Sequence, residues 1–189
     1  MKAALQFSGG KDSLALIFHL QALLPYIDVL MLDTGDMTDA AYENAQLVKQ
    51  IAPNFHTIEM DSIGYRLHHG EPTSDNWLNC CAANIWAPMN NYIQANAYRQ
   101  VFRGTKRCDP YLHGVFPGDV VQGIVYTMPL WEWSDSDVRD YLGIKMPEPY
   151  LEGAKGMPDC VSCPVTEACG GRTRKMWRPW LNTKPANMF

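Results

Sequence analysis

Near its start the chain runs from a short apolar stretch, Ala3 to Phe7, into Ser8-Gly9-Gly10-Lys11-Asp12-Ser13 and on into a segment with helical spacing. Leu14, Ile17, Phe18, Leu20 and Leu24 fall at that spacing over Ser13 to Leu24, and Pro25 is expected to close the helix. Strand, glycine-rich turn and helix in this order limit the fold more than any other feature of the sequence. The glycines let the backbone approach an anion closely, and the first helical turn presents unpaired N–H groups with a favourable dipole. Lys11 adds a positive charge, while Ser8 and Ser13 add hydroxyl donors. The spacing is not that of a Walker A loop, which needs four residues between its glycines before the Lys-Ser/Thr pair.

Beyond that loop the pattern of strand, loop and helix repeats. Ile27 to Leu32 reads as a second buried strand, followed by the polar turn Asp33-Thr34-Gly35-Asp36. Thr38 or Asp39 is expected to cap a helix running to about Ile51, and Phe55 to Met60 supplies a third strand. A long polar loop is expected from Asp61 to about Cys80, then a helix over Ala82 to Ala95. Arg99 to Phe102 and Gly123 to Met128 read as fourth and fifth strands. Ser134-Asp135-Ser136-Asp137 resembles a capping box opening a helix to Leu142. From Met146 onward proline and glycine predict irregular structure.

This alternation predicts a single α/β domain with a mostly parallel sheet and helices on both faces. Residues 1–145 are expected to form the α/β core that carries this loop, and 146–189 a cysteine-containing segment and basic tail of the same domain. Ligands of such sheets lie beyond the carboxyl ends of the strands. The loops at Ser8–Ser13, Asp33–Thr38, Asp61–Cys81 and Gly104–Gly118 should therefore open on one edge. With 189 residues, 47% hydrophobic and 19% charged, the chain has enough apolar material for a core, which excludes wholesale disorder. No apolar run approaches a membrane span, and Met1 to Phe7 is too short for a signal peptide's apolar region. A cytoplasmic protein with no membrane partner is expected.

The net charge of −4 hides an asymmetry. From Gly170 onward there are five basic residues, Arg172, Arg174, Lys175, Arg178 and Lys184, and no acidic one, which leaves 11 basic against 20 acidic residues in the rest. Such a tail either offers a site to an anion such as nucleic acid or a phosphorylated ligand, or simply offsets the acidic body.

Six cysteines in a chain expected to be cytoplasmic point to metal or redox chemistry rather than disulfides. Cys80-Cys81 and Cys160-Val161-Ser162-Cys163 form two pairs that can hold a metal. Adjacent cysteines fit the two spaced knuckles of a zinc site poorly, whereas neighbouring thiolates can bind different irons of a cubane. The spacing favours a 4Fe-4S cluster over zinc. Cys169 and Cys108, each near basic residues, are candidates for a sulfur carrier or nucleophile; either also reads as an inert thiol, Cys108 more readily than Cys169.

Ser-Gly-Gly-Lys-Asp-Ser resembles the signature of the PP-loop ATP pyrophosphatases, the adenine nucleotide α-hydrolase-like superfamily. Leu32-Asp33-Thr34-Gly35, Arg103-Gly104-Thr105-Lys106-Arg107 and Pro129-Leu130-Trp131-Glu132-Trp133 resemble more specifically its phosphoadenosine phosphosulfate (PAPS) reductase branch. The resemblance implies that Ser8, Gly9, Gly10, Lys11 and Ser13 hold phosphates, with Asp12 at the same nucleotide site and Asp33 and Thr34 near the adenosine. Lys106 and Arg107 would neutralise the distal phosphate or sulfate, with Gly104 beside them at the nucleotide site. The cysteine pattern is similar to the 4Fe-4S motif of adenylylsulfate (APS) reductases and of some iron–sulfur sulfurtransferases.

Two departures bear on the reaction. The Glu-Cys-Gly-Leu-His tail of sulfonucleotide reductases is absent, its nearest match being Glu167-Ala168-Cys169-Gly170-Gly171, and the phosphate loop that those enzymes tend to lose is intact. Both favour an enzyme that takes ATP with Mg²⁺, adenylates an acceptor with release of pyrophosphate, and passes sulfur on, with Lys11 and Cys169 as its catalytic residues. The alternatives are an APS or PAPS reductase that makes sulfite, and a nucleotide- and cluster-binding subunit without turnover of its own. Expected partners are the adenine nucleotide, an anionic substrate at the basic tail, and a sulfur-donor or reductant protein. A homo-oligomer is expected.

Overall fold

Residue alternation along the first two strands sets the layers of the molecule. In β1 (Ala3–Phe7) the side chains of Ala3, Leu5 and Phe7 enter one core and Ala4 enters another. In β2 (Asp28–Asp33) Val29 and Met31 join the first core, Leu30 and Leu32 the second. Apolar residues on both alternating faces, interrupted only by Gln6 in β1 and by the aspartates that end β2, are what a strand buried on both faces requires. The computed structural model that carries this arrangement describes residues 1–73, 75–109, 114–152, 156–157 and 159–165.

Four further strands, β3 (Phe55–Glu59), β4 (Gln100–Phe102), β5 (Val120–Val121) and β6 (Ile124–Thr127), complete a six-stranded sheet ordered β3-β2-β1-β4-β6-β5. All pairings are parallel except that of β5 with β6. Strand order reverses beside β1, between the β2–β3 wing and the β4–β6 wing, and such a switch point opens a crevice at the carboxyl edge. The loops after β1, β2 and β4 all reach that edge.

The first core lies under α1 (Lys11–His19), α2 (Asp39–Ile51) and α6 (Asp135–Leu142), which contribute Leu14, Ile17, Ala41, Val48, Val138 and Leu142. The second takes Met89 and Ile93 from α5 (Ala87–Ala95). The expected strands and the helices at Asp39–Ile51 and after Ser134 are present; Thr38 caps α2 and Ser134 opens α6 in a full capping box with Asp137.

Four expectations are corrected. The first helix ends at His19 and gives way to a 3-10 turn over Gln21–Tyr26, with Pro25 inside that turn and not at the helix end. Segment 61–80 is not a loop throughout, since it folds into α3 (Ser62–His69), capped by Asp61, and the start of α4 (Trp77–Cys81). A π-helical turn over Ala82–Trp86 then joins α4 to α5, so that the helix expected from Ala82 is α-helical only from Ala87. Finally, α7 (Glu148–Leu151) interrupts the segment expected to be irregular. Cys169 and the basic tail lie outside the described residues. Among the described residues no helix is long and apolar enough to cross a membrane.

Replacing Ser134 by Ala removes the acceptor for the Asp137 N–H at the start of α6 and should cost about 1 kcal/mol of stability. Urea denaturation should show a lower midpoint with an unchanged slope.

Candidate phosphate cradle and cysteine centre

The loop after β1 is shaped by what its glycines lack. Gly9 has φ +79°, and a Cβ on it would lie 2.7 Å from the Cβ of Ala41 on α2. From the same helix Asn44 donates its Nδ2 hydrogen to the Gly9 carbonyl at 2.7 Å. Gly104, just past β4, presses onto the first turn of α1, where a Cβ would meet the Asp12 carbonyl oxygen at 2.9 Å. The cradle is thus held from both sides. Within it the Ser8 N–H donates to Ser13 Oγ at 3.2 Å, and Ser13 Oγ donates to the Gly10 carbonyl at 3.0 Å.

Side chains close the N-termini of α2, α3 and α6, whereas α1 begins at Gly10 with no side-chain cap. Its first N–H, that of Lys11, reaches the hydroxyl of Tyr150 at 3.4 Å. An uncapped helix start carrying partial positive charge is the arrangement that receives phosphate oxygens.

Behind the cradle lies a charge network. The ammonium of Lys11 pairs with Asp12 at 3.0 Å and Asp135 at 2.7 Å. That of Lys106 pairs with Asp12 at 2.6 Å, Asp109 at 2.9 Å and Asp135 at 3.4 Å. Both lysines are buried, with Lys106 fully so. Burial alone would pull the Lys106 pKa down, but Asp12 and Asp109 outweigh it and hold the ammonium above its usual value. Burial likewise opposes ionisation of Asp135, and Lys11 and Lys106 overcome it and lower its pKa. Two lysines facing three aspartates leave the network with a net negative charge.

Of the residues expected at the nucleotide, the structure brings Ser8, Gly9, Gly10, Lys11, Asp12, Ser13, Gly104 and Lys106 together. Arg107 does not join them. It is exposed, pairs with Glu132, and lines a cleft of about 300 Å³ with Cys108, Trp131, Glu132, Trp133 and Ser134. Asp33 and Thr34 stand one strand away, where Asp33 accepts from the Tyr42 hydroxyl at 2.9 Å and from the Gly35 N–H at 2.8 Å. Burial, then Asp33, pushes the Tyr42 pKa up to about 12. Asp109 and Asp135 were not among the expected residues. Asp135 lies inside a stretch legible only as a helix cap, and Asp109 carries no motif at all.

The cysteines approach each other at the same edge. Thr34 Oγ1 donates to the Asp159 carbonyl at 2.7 Å, and the Val161 N–H donates to the Asp36 carbonyl at 2.6 Å. These bonds fasten the Cys160–Cys163 turn to the loop after β2. Burial pushes the Cys81 thiol up to about 12, helped by Asp159 and by Cys160, Cys80 and Cys163. Burial and Cys163 raise Cys80, and burial pushes Cys160 up to about 11. The thiols that affect one another come from both pairs. None of the five described cysteines is in a disulfide. Among the described residues no three His, Cys, Asp or Glu side chains close round a metal ion.

Lys106→Met should destabilise the fold by about 3 kcal/mol, the low end for a broken buried pair, because Asp12 and Asp109 remain partly exposed. The Lys106 pairing contributes fully below the unfolded lysine pKa of about 10.4 and is lost as pH rises through the higher native value. Asp135 behaves oppositely: its contribution holds above about pH 3.9 and is lost as pH falls through its lowered native pKa. Denaturation across pH should therefore show Lys106→Met flattening the alkaline limb and Asp135→Asn the acid limb.

Comparison with known proteins agrees with this geometry. The model of the phosphoadenosine phosphosulfate reductase domain matches residues 2–150. The PAPS reductase of Candida auris, solved as a phosphate complex, has a similar fold (TM-score 0.67, 15% identity, 84% of this chain and 81% of that one). So does the NH3-dependent NAD synthetase of Campylobacter jejuni (TM-score 0.56, 20% identity, 80% of this chain and 67% of that one). Yeast FAD synthetase in complex with FAD is more distant (TM-score 0.50, 11% identity, 74% of this chain and 48% of that one). No curated protein matches the chain in sequence. At these identities the solved structures speak for the fold alone, and the domain match over most of the chain speaks for the family: the chain belongs to the phosphoadenosine phosphosulfate reductase domain family.

Proposed function

We propose that the chain binds ATP with Mg²⁺ at the phosphate cradle and adenylates an acceptor, releasing pyrophosphate, as the first half of a sulfur transfer. The observation that carries this reading is the intact cradle backed by two buried lysines and three aspartates. A bare phosphosulfate would meet a net negative network there, whereas a polyphosphate arriving with its own divalent cation meets carboxylates that suit it. Asp12 is the carboxylate nearest the loop and the first candidate to meet that cation, which would supply charge neutralisation at the phosphates.

The α1 N-terminus and the Ser8 and Ser13 hydroxyls orient the phosphates. The acceptor oxygen attacks the α-phosphorus, the bond to the bridging oxygen breaks, and pyrophosphate departs with its charge met by Lys11. Sulfur supplied by a donor protein then displaces AMP from the activated acceptor. Cys80, Cys81, Cys160 and Cys163 are the residues that would hold a 4Fe-4S cluster, or zinc, beside this edge. Four half-buried thiols drawn from α4 and from the Cys160–Cys163 turn supply the donor chemistry for such a group, though among the described residues no three of these side chains close round an ion. Such a centre would supply a binding point for sulfur. Cys169 is a second sulfur carrier in this reading, and the basic tail is the dock for an anionic acceptor.

The family match favours a second reading, in which the cradle takes APS or PAPS and the product is sulfite. Calorimetry of anaerobically purified protein with Mg-ATP, APS and PAPS separates the two, with iron and sulfide quantified on the same sample. Tight binding of Mg-ATP, pyrophosphate release with an acceptor and about four irons per chain are expected. Sulfite from APS or PAPS without pyrophosphate release from ATP would sink the adenylation reading. Lys11→Met should lower pyrophosphate release by about 10²–10³-fold, as expected for loss of one group aimed at developing charge.

A further inference from the structure

At the start of α1, where the cradle would receive a phosphate oxygen, stands a side chain of the protein itself. Tyr150, on α7, is 2% exposed and packs in the first core. Its hydroxyl accepts the Lys11 N–H at 3.4 Å, and a Cβ on Gly10 would meet the same oxygen at 3.3 Å. The Lys11 ammonium lies 5.8 Å from the centre of the phenol ring. Met157 backs this spot, its Cβ 4.0 Å from the place a Gly10 Cβ would take. Lys11 itself is buried. The leading N–H of the cradle thus lies under a phenol, and a ligand reaches it only if Tyr150 leaves.

A buried N–H needs a partner whether or not a ligand is present. One N–H does not serve a phenol and a phosphate oxygen at full strength together, so the two compete. The phenol is the weaker competitor. It is neutral and its bond is long, whereas bonds to an ionised acceptor are shorter and roughly twice as strong.

The element that carries Tyr150 is short and joined by a glycine turn. α7 has four residues, and Leu151 at its end is exposed. It follows α6 through a 3-10 turn, Gly143–Lys145, in which Gly143 has φ +49° with open space beside it and Ile144 is fully exposed. From α6, Arg139 fastens α7 by donating its Nη1 hydrogen to the Tyr150 carbonyl at 2.9 Å.

We propose that Tyr150 is an internal stand-in for the ligand: its phenol latches α7 over the empty cradle, and a phosphate-bearing ligand binds by displacing it. This rests on the reading of the loop as a phosphate cradle, and it holds for ATP as for APS or PAPS. The latch weakens the apparent affinity, because only the open fraction of molecules binds.

Tyr150→Phe keeps the ring in the core and removes the oxygen. Arg139→Met releases the other fastening and leaves the cradle's own residues in place. Circular dichroism checks that both variants are folded. Binding of inorganic pyrophosphate with Mg²⁺, Mg-ATP, APS and PAPS is measured by calorimetry. Amide exchange over residues 148–152 is followed with and without a saturating ligand. Both variants should bind about 2–10-fold more tightly than the parent, the worth of one hydrogen bond made only in the closed state. Saturation of the parent should speed exchange over 148–152. Unchanged binding in both variants overturns the latch. Weaker binding by Tyr150→Phe beside an unchanged Arg139→Met also overturns it, because the phenol would then be a donor to the phosphate, and so does slower exchange on saturation. Parent and variants that bind none of the four ligands overturn the phosphate cradle itself, and the latch with it.

Discussion

The candidate site depends on two places where no side chain stands. Gly9 lies against Ala41 and Gly104 against the first turn of α1, each closer than a Cβ would allow. These approaches bring the loop after β4 onto the loop after β1, and that is what puts Lys106 beside Lys11. Without them the two ammonium groups would have no common carboxylate, and the helix start would not face the crevice beside β1. A polar site is placed here by backbone packing, and its charges follow.

The phosphate cradle and the cysteine centre share a second constraint, the loop after β2. Asp33 takes the Tyr42 hydroxyl, Thr34 holds Asp159, Asp36 holds Val161, Ser162 and Arg66, and Ser62 Oγ donates to the Thr34 carbonyl at 2.8 Å. A stretch of four residues therefore borders the nucleotide edge on one side and carries the Cys160–Cys163 turn on the other. A ligand that moved this loop would be felt at the thiols, because few of its polar groups are left to water.

Much of this was legible before any coordinates. The glycine pair, the doubly buried strands and the two polar helix caps are local signals, and local signals survive in a sequence. The charge network was not legible in the same way. Lys106 could be noticed at a strand end, but its partners Asp12 and Asp135 open α1 and α6, which only the fold brings together, and Asp109, three residues on, carries no motif. Segment 61–80 misled because its glycines and polar residues suggest coil, while Asp61 supplies a cap that starts α3.

The π-helical turn over Ala82–Trp86 has a meaning of its own. It is the equivalent of one surplus residue in an otherwise continuous helical run from Cys81 into α5, whose Met89 and Ile93 are fixed in the second core. One residue corresponds to about 100° of rotation about a helix axis. The turn thus sets the phase between an anchored half and a cysteine-bearing half: α5 keeps its apolar face on the sheet, and Cys80-Cys81 is turned by a separate amount. The thiols could be re-aimed by shortening or lengthening this single turn, with no change to the packing that holds the sheet.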